Sequence, residues 1–171
     1  QDIGERTKAE QALRESEERH RLVLANSLDA QLLTRPDGRV LAANAAACQV
    51  FGRSEAEICR IGRSGLMDAS DPRLAPALEE RNRTGRFSGE LTGLRADGTP
   101  FPIEVSSSVF TEPSGEVLTS ISIRDITERV QAEKELERRV EELRVSEERY
   151  RLIAENTADV QVVSAVELNE A

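Results

Sequence analysis

The sequence predicts a small α+β domain with a helix entering it and a helix leaving it. Three features carry that reading: apolar alternation of period two late in the chain, capping and turn residues at short intervals, and charged, helix-forming segments on both flanks. The order is two strands, several short helices, then three strands, within about 100 residues.

Residues 3–25 and about 127–155 are rich in Glu, Arg, Lys, Gln, Ala and Leu, with no Pro and no Gly after Gly4. These are strong helix formers. Each helix opens on Asp-x-x-Glu, Asp2 to Glu5 and Asp125 to Glu128, close to a capping box. In the second helix Leu136, Val140 and Leu143 recur at spacings of four and three, and the frame extends to Tyr150; in the first it passes through Leu13 and His20. Such a narrow stripe is that of a coiled-coil seam, so a homodimer through the flanking helices is expected; the alternative is a single solvated helix lying on its own domain.

Ala30–Thr34 is a short apolar run. Pro36-Asp37-Gly38 makes a tight turn into a second strand, Arg39–Ala43. Asn44–Phe51 is Ala-rich and helical, with Gly52 placed to end it. Ser54 to Glu57 is a capping box for another short helix. Asp71-Pro72 puts a capping residue before a Pro at the first helical position, and that helix runs to about Arg83 before Gly85. Three strands follow, Phe87–Arg95, Phe101–Thr111 and Val117–Arg124, joined by turns at Asp97-Gly98 and Pro113-Ser114-Gly115. Phe101, Ile103, Val105, Ser107 and Val109 share one face, as do Val117, Thr119, Ile121 and Ile123, so one side of the sheet must be covered.

The chain also contains a repeat. SEERHRLVLANSLDAQLLT at 16–34 matches SEERYRLIAENTADVQVVS at 146–164 at nine of nineteen positions, offset by 130. QDIGERTKAEQAL at 1–13 matches RDITERVQAEKEL at 124–136 at seven of thirteen, offset by 123. The offsets differ by seven residues, one heptad, which lengthens a helix by about 10 Å and keeps its seam on the same face. The expected organisation is a linker helix at 1–25, a domain at 26–126, an exit helix at 127–155, and at 156–171 the opening of a second copy or an unrelated tail. The last seven residues, AVELNEA, stop matching the first copy.

Composition bounds the function. With 23 basic and 32 acidic residues the net charge is −9, which argues against nucleic acid and against an anionic membrane surface. No apolar run approaches the ~20 residues needed to cross a bilayer. Cys48 and Cys59 make no disulfide framework and, with one His, no zinc site without carboxylates; they read as reduced core residues of a cytoplasmic protein.

Four segments taken in order, SEERHRLVLANSLDA, PDGRVLAANAAACQVFG, RADGTPFPIEVSSSVF and the closing Arg124-Asp125-Ile126-Thr127-Glu128-Arg129, resemble a PAS domain of bacterial signalling proteins. The Asp-Ile-Thr signature that ends these domains and opens a signalling helix is the most specific of them. The resemblance covers roughly Ser16 to Arg129, with a second copy beginning near Ser146, as in a tandem array. It implies a five-stranded antiparallel sheet with helices over one face, enclosing a pocket that can hold a small ligand. Candidate pocket residues are Asn44, Cys48, Leu91, Ser107, Ile121 and Ile123. Arg124, Asp125, Ile126 and Thr127 are candidates for coupling the pocket to the exit helix.

Each candidate has a plainer role to weigh against it. The helix Asp71–Arg83, where haem-binding members of the family place a histidine, has none, and His20 answers to Tyr150 in the repeat, so a shared ring slot explains it. The Asn-Cys-Arg-Phe-Leu-Gln motif of cysteinyl-flavin members is absent: its cysteine would fall at Arg63, and Cys59 lies four residues upstream. Haem and a cysteinyl-flavin are therefore both disfavoured, and the cofactor stays open. Ser106, Ser107 and Ser108 have no histidine base nearby to make a nucleophile. Asn44 and Asp125 can each simply cap a helix. No metal cluster, phosphate loop or acid–base constellation supports an enzyme. The expected function is a sensory or relay module acting through paired helices on an output domain, a histidine kinase or a cyclic-nucleotide enzyme, that lies outside this sequence. The alternative is a ligand-free dimerisation and spacer module that holds helix register.

Overall fold

The computed structural model describes Lys8, Glu10, Gln11 and Arg14, all helical, and the continuous stretch 27–169, with side-chain surroundings given to residue 155. Leu13 and His20 of the expected first seam lie outside the described residues. The chain divides into two units, Gln1–Thr127 and Glu128–Ala171.

The first unit holds a five-stranded antiparallel sheet in the order β2-β1-β5-β4-β3. Its strands are β1 (Ala30–Thr34), β2 (Val40–Ala43), β3 (Arg86–Leu94), β4 (Pro100–Thr111) and β5 (Val117–Asp125). Between β2 and β3 lie the helices α1 (Ala45–Phe51), α2 (Glu55–Ile61) and α3 (Leu74–Thr84), with a single 3₁₀ turn at Arg63–Gly65. All five expected strands form, with ends within one residue of those read from the sequence. The alternation places Phe101, Ile103, Val105 and Ser107 of β4, with Thr119, Ile121 and Ile123 of β5, in the buried layer. Ala47, Phe51, Ile58, Leu66 and Ala77, from the helical segment, pack into the same core. Val109 is only half-buried and Val117 is exposed, because both sit where the β4–β5 hairpin leaves the core. Leu118, on the face the alternation gave to solvent, is buried.

Local chemistry sets the helix boundaries. Asn44 caps α1 by accepting the Ala47 N–H, and Gly52 closes it in the left-handed region, φ +65°. Ser54 and Glu57 form both halves of the capping box. Gly38 is buried at φ +95°, a left-handed conformation that requires glycine; a Cβ there would also push aside the end of the Arg63 side chain.

The start of α3 departs from the expectation. Asp71 is not its N-cap: the helix begins at Leu74 after Arg73, without a side-chain cap. The Asp71 carboxylate instead accepts the Arg73 N–H and side chain and, from the neighbouring strand, the Thr92 N–H at 2.8 Å. A buried carboxylate with a strand amide in reach is better satisfied across the fold than along its own helix. The Arg73 bonds outweigh burial and hold the Asp71 carboxyl far below the usual carboxylate range.

Helix α4 begins at Thr127 and runs past residue 155 to Asn169, and it supplies all the described residues of the second unit. Its faces carry ion pairs at helical spacing, Arg138 with Glu135 and Glu142, and Arg144 with Glu141 and Glu148. Pairs at this spacing are neighbours on the helix surface and favour the helix slightly.

Candidate functional site

Between the inner face of the sheet and the α3 side lies a cavity of about 30 Å³. On a comparable scale one water needs roughly 10–15 Å³, so the space takes a few heavy atoms. Leu32, Leu66, Leu91, Val105 and Ile121 give it apolar walls. Thr34, Ser107, Arg63 and Arg81 also border it, with only apolar atoms facing the space. It is far smaller than the roughly 300–1,000 Å³ that enfolds a drug-sized ligand, and a haem or flavin does not fit it as it stands.

Polar groups close by are buried without partners. Arg81 is 3% exposed, and its Nε and Nη2 have no hydrogen-bond partner. The hydroxyls of Thr34 and Thr119, opposite each other across β1 and β5, are also buried and unpaired. Burial, and then the charge of Arg63, push the Arg81 pKa down. Isolated buried charges are costly and are normally paired.

Of the expected pocket residues, Leu91, Ser107 and Ile121 line this cavity. Asn44, Cys48 and Ile123 do not. Asn44 Oδ1 accepts the N–H groups of Gln31 and Ala47 while Nδ2 donates to the Asp29 carbonyl, so its amide is committed to joining β1 to α1. Ile123 is fully buried in the core. Cys48 and Cys59 are half-buried free thiols against that core, and burial, followed by the charge of Glu55, pushes both thiols up. That leaves them poor nucleophiles.

The four residues 124–127 fall together at the end of β5. Arg124 forms a two-point bond with Asp29 at the entry to β1, at 3.0 and 2.8 Å. Asp125 accepts from the Thr127 N–H and hydroxyl with one oxygen and from Arg95 at 2.6 Å with the other. The capping-box expectation is met only in part: Asp125 takes the N–H of Thr127 rather than that of Glu128, and its second oxygen is held by Arg95. Burial alone would raise the Asp125 pKa, but the Thr127 and Arg95 bonds hold it below the ordinary value. Ile126 is buried and its N–H reaches the Pro102 carbonyl.

Arg95 is the residue that sequence reading missed. Its guanidinium lies 3.9 Å from the centre of the Phe101 ring and donates to the Val50 carbonyl of α1 as well as to Asp125. Phe101 in turn meets Phe51 edge to face, ring centres 5.9 Å apart. One side chain therefore ties α1, the β3–β4 turn and the end of β5. No local pattern marks it, since its partners lie 30 and 45 residues away.

Over residues 28–128 the chain matches the family model described as the PAS domain. That is more than half of the chain, and the chain belongs to the PAS domain family. Solved structures of similar fold agree. The PAS domain of an HTR-like protein from Haloarcula marismortui is 23% identical, TM-score 0.58, over 70% of this chain and 99% of that one. The PAS domain of nitrogen regulation protein NR(II) from Vibrio parahaemolyticus is 25% identical, TM-score 0.54, over 62% and 96%. A PAS domain from a two-component sensor histidine kinase is 14% identical, TM-score 0.57, over 66% and 97%. No curated protein matches the sequence.

Among the described residues no cluster of three His, Cys, Asp or Glu stands ready to hold a metal ion, and no helix is long and apolar enough to cross a membrane.

Proposed function

We propose that this chain is a sensory or relay module, passing a change in its cavity or in an upstream helix to an output domain through paired helices. The observation that carries the reading is the Asp125 carboxylate. It bonds at once to Arg95, which grips α1 and Phe101, and to Thr127, where α4 begins. A repacked interior would thereby alter the bonds that fix the start of the exit helix. Solved PAS domains of a sensor histidine kinase and of a nitrogen regulation protein share the fold, which favours a kinase of a two-component system as the output.

The paired helices are a proposal of the same kind. Leu136, Val140, Leu143 and Tyr150 are all more than half exposed in the single chain. An apolar seam of that spacing suits a second copy, and a signalling dimer of two-fold symmetry would set it in parallel. The repeated linker in the sequence is what a tandem array would produce.

A second reading, a spacer that only holds helix register, is favoured by the small size of the cavity. Amide hydrogen exchange separates the two. In Asp125→Ala the relay reading expects faster exchange both at 124–130 and in α1, because the two ends lose their common partner. If the change stays confined to the first turn of α4, Asp125 is a helix cap and nothing more, and the spacer reading takes its place.

A further inference from the structure

We propose that the cavity between the sheet and α3 binds a small neutral apolar molecule of about two to four heavy atoms, of the size of dioxygen or a light hydrocarbon. The inference deepens the relay reading by naming a ligand class for its cavity, and rests on that reading only for its consequence. The walls set the class. Only apolar atoms face the space, and Leu32, Leu66, Met67, Leu91, Val105 and Ile121 are among the side chains that close it. A charge placed there would leave water and find no partner, and a hydroxyl or carbonyl would lose its hydrogen bonds, so ions and polar metabolites are excluded. Water fares no better, because it needs polar partners to stay. The volume of about 30 Å³ sets the size, at roughly two or three water-sized positions. An aromatic ring is too large, since benzene suits an apolar cavity of about 150 Å³.

A ligand also needs a way in, and α3 is the wall that yields. Leu74 and Leu78, one turn apart on α3, and Phe87 at the start of β3 line the cavity and are half-buried, whereas its other apolar lining side chains are buried. The passage therefore lies between α3 and β3. The helix is weakly held at both ends. It starts after Arg73 without a side-chain cap, and Arg81, near its C-terminus, is buried with Nε and Nη2 lacking partners. A buried charge without a partner costs stability that is recovered when the helix lifts into water, so α3 opens more readily than the strands beneath it.

The test is methyl NMR of the full chain under rising xenon pressure, with helium as the pressure control. Methyl signals of Leu66, Leu91, Val105 and Ile121 should shift along a saturating curve, and those of Leu118, on the opposite face of the sheet, should not. Ala77→Val fills the space from α3 and should lose the response. Should that variant fail to fold, Leu91→Ala enlarges the space and should gain binding of benzene, which the wild-type chain does not take. Dioxygen and propane, added in competition with xenon, distinguish the two sources: the one that displaces it at the lower concentration is the better ligand. Arg81→Met removes the unpartnered charge and should slow amide exchange along 74–84 without any gas. Xenon shifts no larger than those of helium, shifts that survive in Ala77→Val, benzene binding by the wild-type chain, or displacement by neither competitor overturns the proposal. Unchanged exchange along 74–84 in Arg81→Met overturns the entry route. Amide signals at 124–127, read in the xenon titration, keep the two ideas apart. Occupancy without change there sinks relay from the cavity and leaves the site standing, whereas absence of occupancy sinks the site alone.

Discussion

Asn44 holds three backbone groups with one amide, two through Oδ1 and one through Nδ2. Truncation to Ala removes a helix cap and leaves the Gln31 N–H and the Asp29 carbonyl to find other partners. Asn44→Ala is expected to cost about 2 kcal/mol, measured as the shift of the urea midpoint at unchanged slope. The capping role was legible in the sequence, because Asn at a strand-to-helix junction has an obvious local partner three residues on. The other two bonds were not, since they reach 13 and 15 residues back to β1. The same asymmetry explains Asp71 and Arg95. Their local signals point along the chain, to a helix N-terminus and to a turn, while Asp71, besides its bonds from Arg73, takes Thr92 across the fold and Arg95 takes Asp125. Arg81 adds another case: a basic residue near the end of a charged helix reads as solvated, and only packing shows it is buried.

At the scale of elements the strands and short helices were the most legible features. Alternation in β4 and β5 states which face is buried, and Ser54 with Glu57 states where α2 begins. The end of α4 was less so: the residues after 155 match the first copy of the repeat, while the helix continues to Asn169. The seam on α4 makes its own prediction. Leu136, Val140 and Leu143 expose apolar area that a partner helix would cover at about 25 cal/mol per Å². Val140→Glu places a charge in the middle of that stripe. In sedimentation equilibrium the wild-type chain is expected to be a dimer and the Val140→Glu chain chiefly a monomer, with unchanged helix content by circular dichroism. A wild-type monomer across the micromolar range would mean that α4 pairs with nothing in this chain.

For the whole molecule, pH is the accessible variable. The carboxyls of Asp71 and Asp125 both hold their protons less tightly when folded than the ordinary value of 3.8. As pH falls through that value the unfolded chain takes up protons first, so the folded state loses stability. The contribution is complete well above pH 4 and declines below it, Asp71 over the wider range. Urea midpoints should be flat from about pH 7 to 5 and fall below 4, and Asp71→Asn should flatten that fall while lowering the plateau. Strand order was the part of the architecture least available to residue-by-residue reading, because β1 pairs with β5 through partners such as Ala30 and Ile123, at opposite ends of the domain. That pairing has a consequence for biosynthesis. The first strand to leave the ribosome has its central neighbour in the last, so until Asp125 has emerged both β1 and β4 present open edges and the core has no floor. Closure must then wait for nearly the whole domain to be translated, and the nascent chain is most open to wrong strand pairing just before β5 arrives.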